Sequence, residues 1–122
     1  MELEIEVDAI AGVLVVVVTG DVVEGSLGPL RECLEQAVTG GRPVVVDLLA
    51  ADEFDDAGVE LLVGVHDQMG TRLRVVAERG GIVHRRLKDA GIAHVLALHR
   101  NRLNALLAST PREPSPEARQ LH

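Results

Sequence analysis

Aromatic side chains are almost missing from this chain. Among its 122 residues there is one Phe, at position 54, and neither Trp nor Tyr. Proteins that bind single-stranded nucleic acid stack bases on aromatic rings, and duplex binding needs clustered cations that meet the phosphates. Because the formal net charge is also -7, the sequence predicts no nucleic-acid partner. The core must be built from Val, Leu, Ala and Ile, and a hydrophobic content of 47% is enough for one domain.

Cysteine and long apolar runs are also scarce. Cys33 is the only cysteine, so no intramolecular disulfide can form and nothing indicates secretion. The longest purely apolar run, Val13–Val18, is far shorter than the roughly 20 residues of a membrane-spanning helix. Residues 1–8 alternate between apolar and acidic types, unlike a signal peptide. We therefore expect a cytoplasmic protein with no membrane partner.

Groups for catalysis or metal binding do not form a recognisable set. The histidines, at positions 66, 84, 94, 99 and 122, lack the spacing of metal ligands, and no metal or cofactor is expected. Carboxylates at positions 52, 53, 55 and 56 could hold Mg²⁺ for phosphoryl transfer, but the only lysine, Lys88, has no obvious route to them. That reaction is the weakest alternative, and we expect that the protein is not an enzyme.

The first part of the chain predicts a hairpin followed by a helix. Leu3, Ile5 and Val7 alternate with acidic residues, as in a half-exposed strand. A turn at Ala11-Gly12 leads into a buried second strand over Val13–Thr19, which Gly20-Asp21 closes. Ser26 is the expected cap of the first helix, which has Pro29 in its first turn and ends at Gly40-Gly41.

The central part of the chain predicts a buried strand, an acidic loop and a second helix. Val44–Leu49 is the strand, and the loop holds the four carboxylates. Asp55 or Asp56 would then cap a helix that ends at Gly70. The inward positions at helical spacing are Ala57, Leu61, Leu62, Val65 and Met69. Val59 and Val63 lie beside this stripe, and the pattern allows either an exposed contact patch or a second buried face.

The remaining sequence predicts strand, helix, strand, helix and a disordered tail. The expected strands are Leu73–Ala77 and Val95–Leu98, and Gly91 ends the helix between them. Asn101 is a candidate cap for the last helix, whose expected inward residues are Leu103, Leu106 and Leu107. The third helix and its approach carry a basic face, either solvated or able to dock an acidic partner, with Arg79, His84, Arg85, Arg86 and Lys88. Residues 110–122 are rich in proline and charge, as in a disordered tail.

The predicted order is therefore β-β-α-β-α-β-α-β-α, an α/β fold over residues 1–109. Alternating strands and helices after residue 40 imply parallel strands with right-handed crossovers, whereas the opening hairpin is antiparallel. We expect a mixed central sheet of about five strands with about four helices.

Several motifs, in this order, resemble one known family. They are Gly20-Asp21, residues 26–34, Val44–Leu48, Phe54-Asp55-Asp56-Ala57-Gly58, residues 82–87 and Ala90-Gly91-Ile92. Together they are similar to the STAS domain family of bacterial anti-sigma-factor antagonists, over about residues 3–108. The resemblance implies binding to an anti-sigma factor of the serine-kinase type, which phosphorylates a serine at the start of the second helix.

In this chain the position of that serine is Asp56, which has no hydroxyl. The resemblance implies two surface segments that contact the partner, residues 21–26 and 54–63. The candidate residues are Asp21, Val23, Ser26, Phe54, Asp55, Asp56, Ala57, Gly58, Val59 and Val63. Val23 also departs from the family, which often has an acidic residue there.

Two hypotheses follow for Asp56. Its fixed charge either imitates the phosphorylated state and weakens or redirects binding to the usual partner, or belongs to a constitutive antagonist whose partner is adapted to aspartate. A STAS scaffold or a small-ligand sensor without a sigma-factor role is the alternative function. A homodimer through the exposed edge of the hairpin is a further expectation.

Overall fold

The computed structural model describes residues 2–109, so the tail predicted for residues 110–122 lies outside the described part. Within it, five strands and four α-helices follow each other in the predicted order. Their bounds are β1 Glu4–Ile10, β2 Val13–Val22, α1 Gly28–Gly40, β3 Val44–Phe54, α2 Asp56–Met69, β4 Leu73–Val76, α3 Ile82–Asp89, β5 Ala97–His99 and α4 Arg102–Ser109. A short 3-10 turn, Gly70–Arg72, joins α2 to β4.

The strands form one mixed sheet in the order β1-β2-β3-β4-β5. β1 pairs antiparallel with β2, and the other neighbouring pairs are parallel. The hairpin turn has positive φ at both Ala11 (54°) and Gly12 (81°), the backbone of the two-residue turns that match strand twist. The predicted fold class is confirmed, and β1 and β5 are the free edges.

Helices cover both faces of the sheet unequally. The larger core joins one face of the sheet to α1, α2 and α3, through buried residues such as Leu34, Leu62 and Leu87. The smaller core joins the reverse face to α4, the one helix of residues 2–109 on that side, through Ala105 and four valines at positions 13, 15, 45 and 76. Three helices therefore cover one face of the sheet and α4 covers the other, which we call the thin side. The start of α2 lies on the face with three helices.

Two strands are longer than their sequence pattern predicted. β2 continues past Thr19 to Val22, and β3 continues past Leu49 to Phe54. The two extensions pair with each other in parallel, with Asp21 opposite Glu53, after two shifts of register. Asp52 and Glu53 thus lie in a strand, and the predicted acidic loop is wrong. The exposed side chain of Leu49 (47%) also departs from the predicted buried run.

A buried carboxylate interrupts the apolar run of β3. Asp47 is only 3% exposed, and its Oδ2 accepts a 2.9 Å hydrogen bond from Nε of Arg102 at the start of α4. Its Oδ1 accepts a second bond, 3.0 Å long, from the Leu49 N–H. Because buried charges need partners, this pair ties α4 to the centre of the sheet.

The last strand and helix lie close to their predicted places. Asn101 caps α4, because its side-chain oxygen accepts a 2.8 Å bond from the Asn104 N–H. The predicted inward stripe is wrong in part: Leu103 and Leu107 are 64% and 68% exposed, whereas Ala105 is fully buried. A small residue at the contact lets the short helix approach the valines of the sheet closely. β5 begins at Ala97 rather than Val95, which is exposed in the turn after α3.

Candidate protein-binding site at the start of α2

The carboxylate of Asp55 joins two segments of backbone where β3 meets α2. Its extended conformation (φ -111°, ψ -172°) makes it the N-cap residue of α2. Oδ1 accepts hydrogen bonds from the N–H groups of Ala57 (2.9 Å) and Gly58 (3.3 Å), which have no partner within the helix. Oδ2 accepts a 3.0 Å bond from the N–H of Glu24, in the loop between β2 and α1. One carboxylate thus fixes the helix start and the neighbouring loop together.

The charge of Asp55 is stabilised by these bonds. The hydrogen bond from Glu24 is the main cause that lowers the pKa of the Asp55 carboxyl group below its usual value of 3.8. Partial burial opposes this effect, while the bonds from Gly58 and Ala57 and the positive charge of Arg86 lower the pKa further. Hydrogen bonds to the ionised form favour that form, so Asp55 is negatively charged at neutral pH.

Gly58 allows α2 to lie directly on the only aromatic ring. A Cβ atom at this position would be 2.9 Å from Cε2 of Phe54 and 3.1 Å from Cγ1 of Val22. Phe54 is 2% exposed and Val22 is fully buried, so neither neighbour can move aside into solvent. The glycine is therefore needed for close packing, and it sets the position of the helix start over β2 and β3.

Ser26 stabilises the loop before α1 and does not cap that helix. Its hydroxyl oxygen lies 2.9 Å from the carbonyl oxygen of Asp21 and 2.8 Å from that of Val23, which share its single proton, and it accepts from the Val23 N–H (3.3 Å). The residue that precedes α1 is Leu27, which makes no side-chain capping bond. The predicted cap is wrong because the hydroxyl group is used within its own tight turn. Pro29 does lie in the first turn, as predicted.

Asp56 is the first residue of α2 and points into solvent. Its side chain is 90% exposed, and its Oδ1 lies 4.0 Å from Nη1 of Arg86 on α3, which is itself 49% exposed. Such an ion pair contributes little to stability because water screens it. Asp55 makes the capping bonds, so the carboxylate of Asp56 is available to a partner.

The family of this fold follows from a sequence comparison. A profile of the STAS domain matches residues 4–105, almost all of the described part. The chain belongs to the STAS domain family. No protein of the curated collection matches this STAS domain closely enough to count as a relative.

Solved structures agree with that assignment. An anti-sigma factor antagonist from Mycobacterium paratuberculosis superimposes with a TM-score of 0.80 at 24% identity, covering 90% of this chain and 96% of that one. A STAS domain protein from Planctomyces limnophilus gives 0.68 at 20% identity, covering 86% and 96%. The phosphorylated form of the Bacillus cell fate determinant SpoIIAA gives 0.60 at 14% identity, covering 85% and 96%. At these identities the likeness establishes the shared fold.

The predicted contact residues of this STAS domain differ in solvent exposure. Phe54, Gly58 and Val59 are buried, the last with 7% exposure, so Val59 belongs to the core and not to an exposed patch. Those that are partly or fully exposed are Asp21, Val23, Ser26, Asp55, Asp56, Ala57 and Val63. The accessible part of the candidate surface is therefore more polar than the sequence predicted. The buried residues support this surface from the core and do not contact solvent.

Two contributors to the site were not predicted from the sequence. The Glu24 N–H reaches Asp55 across 31 positions of chain, and a backbone group leaves no trace in residue identity. Arg86 was predicted only as part of a basic face, because nothing in its local sequence shows that α3 lies beside the start of α2.

The helices of residues 2–109 were also compared with the length and hydropathy that a membrane span requires. None of them meets both requirements.

Proposed function

We propose that this STAS domain is a protein-interaction switch of the anti-sigma-factor antagonist type, and that its partner is a kinase-type anti-sigma factor. The observation that carries the proposal is the exposed carboxylate of Asp56 at the first position of α2. The resemblance implies that this position corresponds to the phosphorylated serine of the family. In this chain the negative charge there is permanent, so binding does not depend on phosphorylation.

The charge of Asp56 acts in a favourable electric field. The start of a helix carries a partial positive charge, which stabilises a nearby anion by about 0.3–1 kcal/mol. Phosphoserine would place about -1.5 to -2 charges there, whereas aspartate supplies one. We therefore propose that Asp56 partly imitates the phosphorylated state and weakens the binding of a kinase that prefers an uncharged serine.

The proposed contact surface has two parts that Asp55 holds together. The first is the loop after β2, with Val23 and Ser26, and the second is the exposed side of the α2 start, with Asp56 and Ala57. Because the Asp55 carboxylate binds both backbones, the two parts keep a fixed relative position. A preformed surface loses less conformational entropy on binding.

Replacement of Asp56 tests the proposal. A purified kinase-type anti-sigma factor from the same organism is titrated against the wild type and Asp56→Ser, without ATP, by isothermal titration calorimetry. If Asp56 imitates phosphoserine, Asp56→Ser binds at least about tenfold more tightly, a difference of about 1.4 kcal/mol. Addition of ATP should then phosphorylate the new serine and reverse the gain, whereas the wild type stays unmodified.

Asp67→Ser is the matched control, because it removes one exposed carboxylate from the other end of the same helix. It should leave the affinity within about twofold of the wild type, since a distant exposed charge is screened. Equal or tighter binding by the wild type than by Asp56→Ser would refute the imitation and support a partner adapted to aspartate. Absence of binding by both proteins to every such kinase would refute the antagonist function itself.

A further inference from the structure

A second candidate site lies beside the start of α3 and shares no residue with the surface that Asp55 organises. A cavity of about 200 Å³ opens where β4 and β5 end. Its lining residues are Ala77, Arg79, His84, Leu98, His99 and Arg100. The cavity therefore lies at the carboxyl ends of two parallel neighbouring strands.

The lining is basic in an otherwise acidic protein. Four of its six residues are Arg or His and none is acidic, although the whole chain has a formal net charge of -7. Within residues 2–109, the side chains of Arg79 and Arg100 make no hydrogen bond or ion pair. Both guanidinium groups are thus available to an anion, and their fork of N–H donors fits phosphate oxygens.

The two histidines can also donate. The N–H of Gly80 donates a 3.1 Å bond to Nδ1 of His84, so the proton of the neutral ring is on Nε2. Nη1 of Arg74 lies 3.1 Å from Nε2 of His99; a guanidinium group only donates, so the proton of this ring is on Nδ1. Burial and then Arg74 lower the pKa of His99, which keeps its ring neutral at pH 7.

The start of α3 adds to the positive electrostatic potential near the cavity. α3 begins directly after Gly81, which provides no side-chain cap for the N–H groups of its first turn. His84, which lines the cavity, belongs to this first turn, and the partial positive charge at a helix start favours a nearby anion. One carboxylate reduces the net positive charge of this region, because Glu78 lines the adjoining cavity together with Arg79 and Arg100.

We propose that this cavity binds a phosphate group, either free phosphate or the end group of a small phosphomonoester. The two arginines supply the charge and the histidines supply ring N–H donors. The volume suits a phosphate with a short carbon chain, and the lining has no Phe, Tyr or Trp ring, the large aromatic surfaces on which nucleobases stack best. This inference does not rest on the proposed function, since none of the cavity residues belongs to the α2 surface.

Binding of inorganic phosphate and of glycerol 3-phosphate, each measured at constant ionic strength in sodium chloride, tests the proposal. Calorimetry should show saturable binding of at least one, and the ring protons of His84 should shift in NMR spectra over the same concentration range. Arg79→Ala and Arg100→Ala should each weaken binding at least about tenfold, as expected for a lost charge-assisted hydrogen bond. The ratio of the two affinities identifies the source of the phosphate group.

Arg31→Ala is the control, because it removes one exposed arginine on α1 that does not line the cavity. It should keep the wild-type affinity, and circular dichroism confirms that all three variants are folded. Absence of saturable binding of both compounds would overturn the proposal. Equal weakening by Arg31→Ala and by the two cavity variants would overturn it as well, since that result indicates a general effect of net charge.

Discussion

The backbone N–H of Glu24 donates a 3.0 Å hydrogen bond to Oδ2 of Asp55, 31 residues further along the chain. The same carboxylate caps α2 through its other oxygen. Local capping and a long-range connection thus depend on one side chain, and a single substitution tests both.

Asp55→Ala should lower the free energy of unfolding by about 1–2 kcal/mol, because the capping bonds of α2 are lost. Urea denaturation followed by circular dichroism measures this, since the chain contains no Trp. Asp56→Ala, at the exposed neighbour, should change the stability by less than about 0.5 kcal/mol. Equal losses in the two variants would contradict the assignment of the cap to Asp55.

The stabilisation by Asp55 should depend on pH in one direction. Its pKa is lower in the folded protein than the usual 3.8, so the folded state binds this proton less strongly than the unfolded state does. The contribution is therefore complete above the unfolded pKa and is lost as the pH falls through the folded pKa. The difference in Tm between the wild type and Asp55→Asn should be constant above about pH 5 and should shrink below about pH 4. A difference that grows on acidification would contradict this.

Two glycines of α2 should respond oppositely to alanine. Gly58→Ala forces a Cβ atom to 2.9 Å from the ring of Phe54, and such overpacking costs about 1–3 kcal/mol. Gly64→Ala meets nothing within 4 Å and should stabilise the helix by about 0.5–1 kcal/mol. Thermal denaturation of both variants measures the contrast. Two changes of the same sign would show that the space around Gly58 is not limiting.

Arg102→Ala should destabilise the protein by about 2 kcal/mol, because it leaves one oxygen of the buried Asp47 carboxylate without its donor. In the background of Asp47→Asn, the same substitution should cost less than half as much, since no buried charge remains. Urea denaturation of the four proteins of this cycle gives the coupling energy. Additive effects would show that the pair does not hold α4 on the sheet.

Self-association through β1 should be limited by charge. Glu4, Glu6 and Asp8 lie at alternate, exposed positions of this edge strand, and antiparallel pairing of two copies about Glu6 would place Glu4 opposite Asp8. Like charges at such positions oppose pairing. Replacing all three by Thr should increase dimer formation in sedimentation velocity experiments. Replacing Glu35, Glu60 and Asp67 by Thr is the control and should leave the association unchanged.

The element order and fold class were predictable from the sequence because periodicity and turn residues are local properties. The ends of β2 and β3 were not, because Asp21 and Glu53 become strand residues only by pairing with each other across a shifted register. The partner of Asp47 was equally hidden, since Arg102 is 55 positions away.

The candidate site was predictable to the level of a short segment. The family motif indicated Asp56, and the capping pattern allowed either Asp55 or Asp56 as the N-cap. Only the backbone geometry, in which Asp55 is extended and Asp56 is helical, decides between them. The burial of Val59 depends on how α2 is rotated about its axis relative to the sheet. The sequence pattern allowed either an exposed or a buried position for Val59 and could not decide between the two.

The thin side of the sheet has a practical consequence for handling the protein. Within residues 2–109, α4 is the only helix that covers the valines of the reverse face, and Arg102 attaches its first turn. A fusion that displaced this helix would expose a strip of β-branched residues, which favours aggregation. Affinity tags and fluorescent labels are therefore better attached ahead of β1.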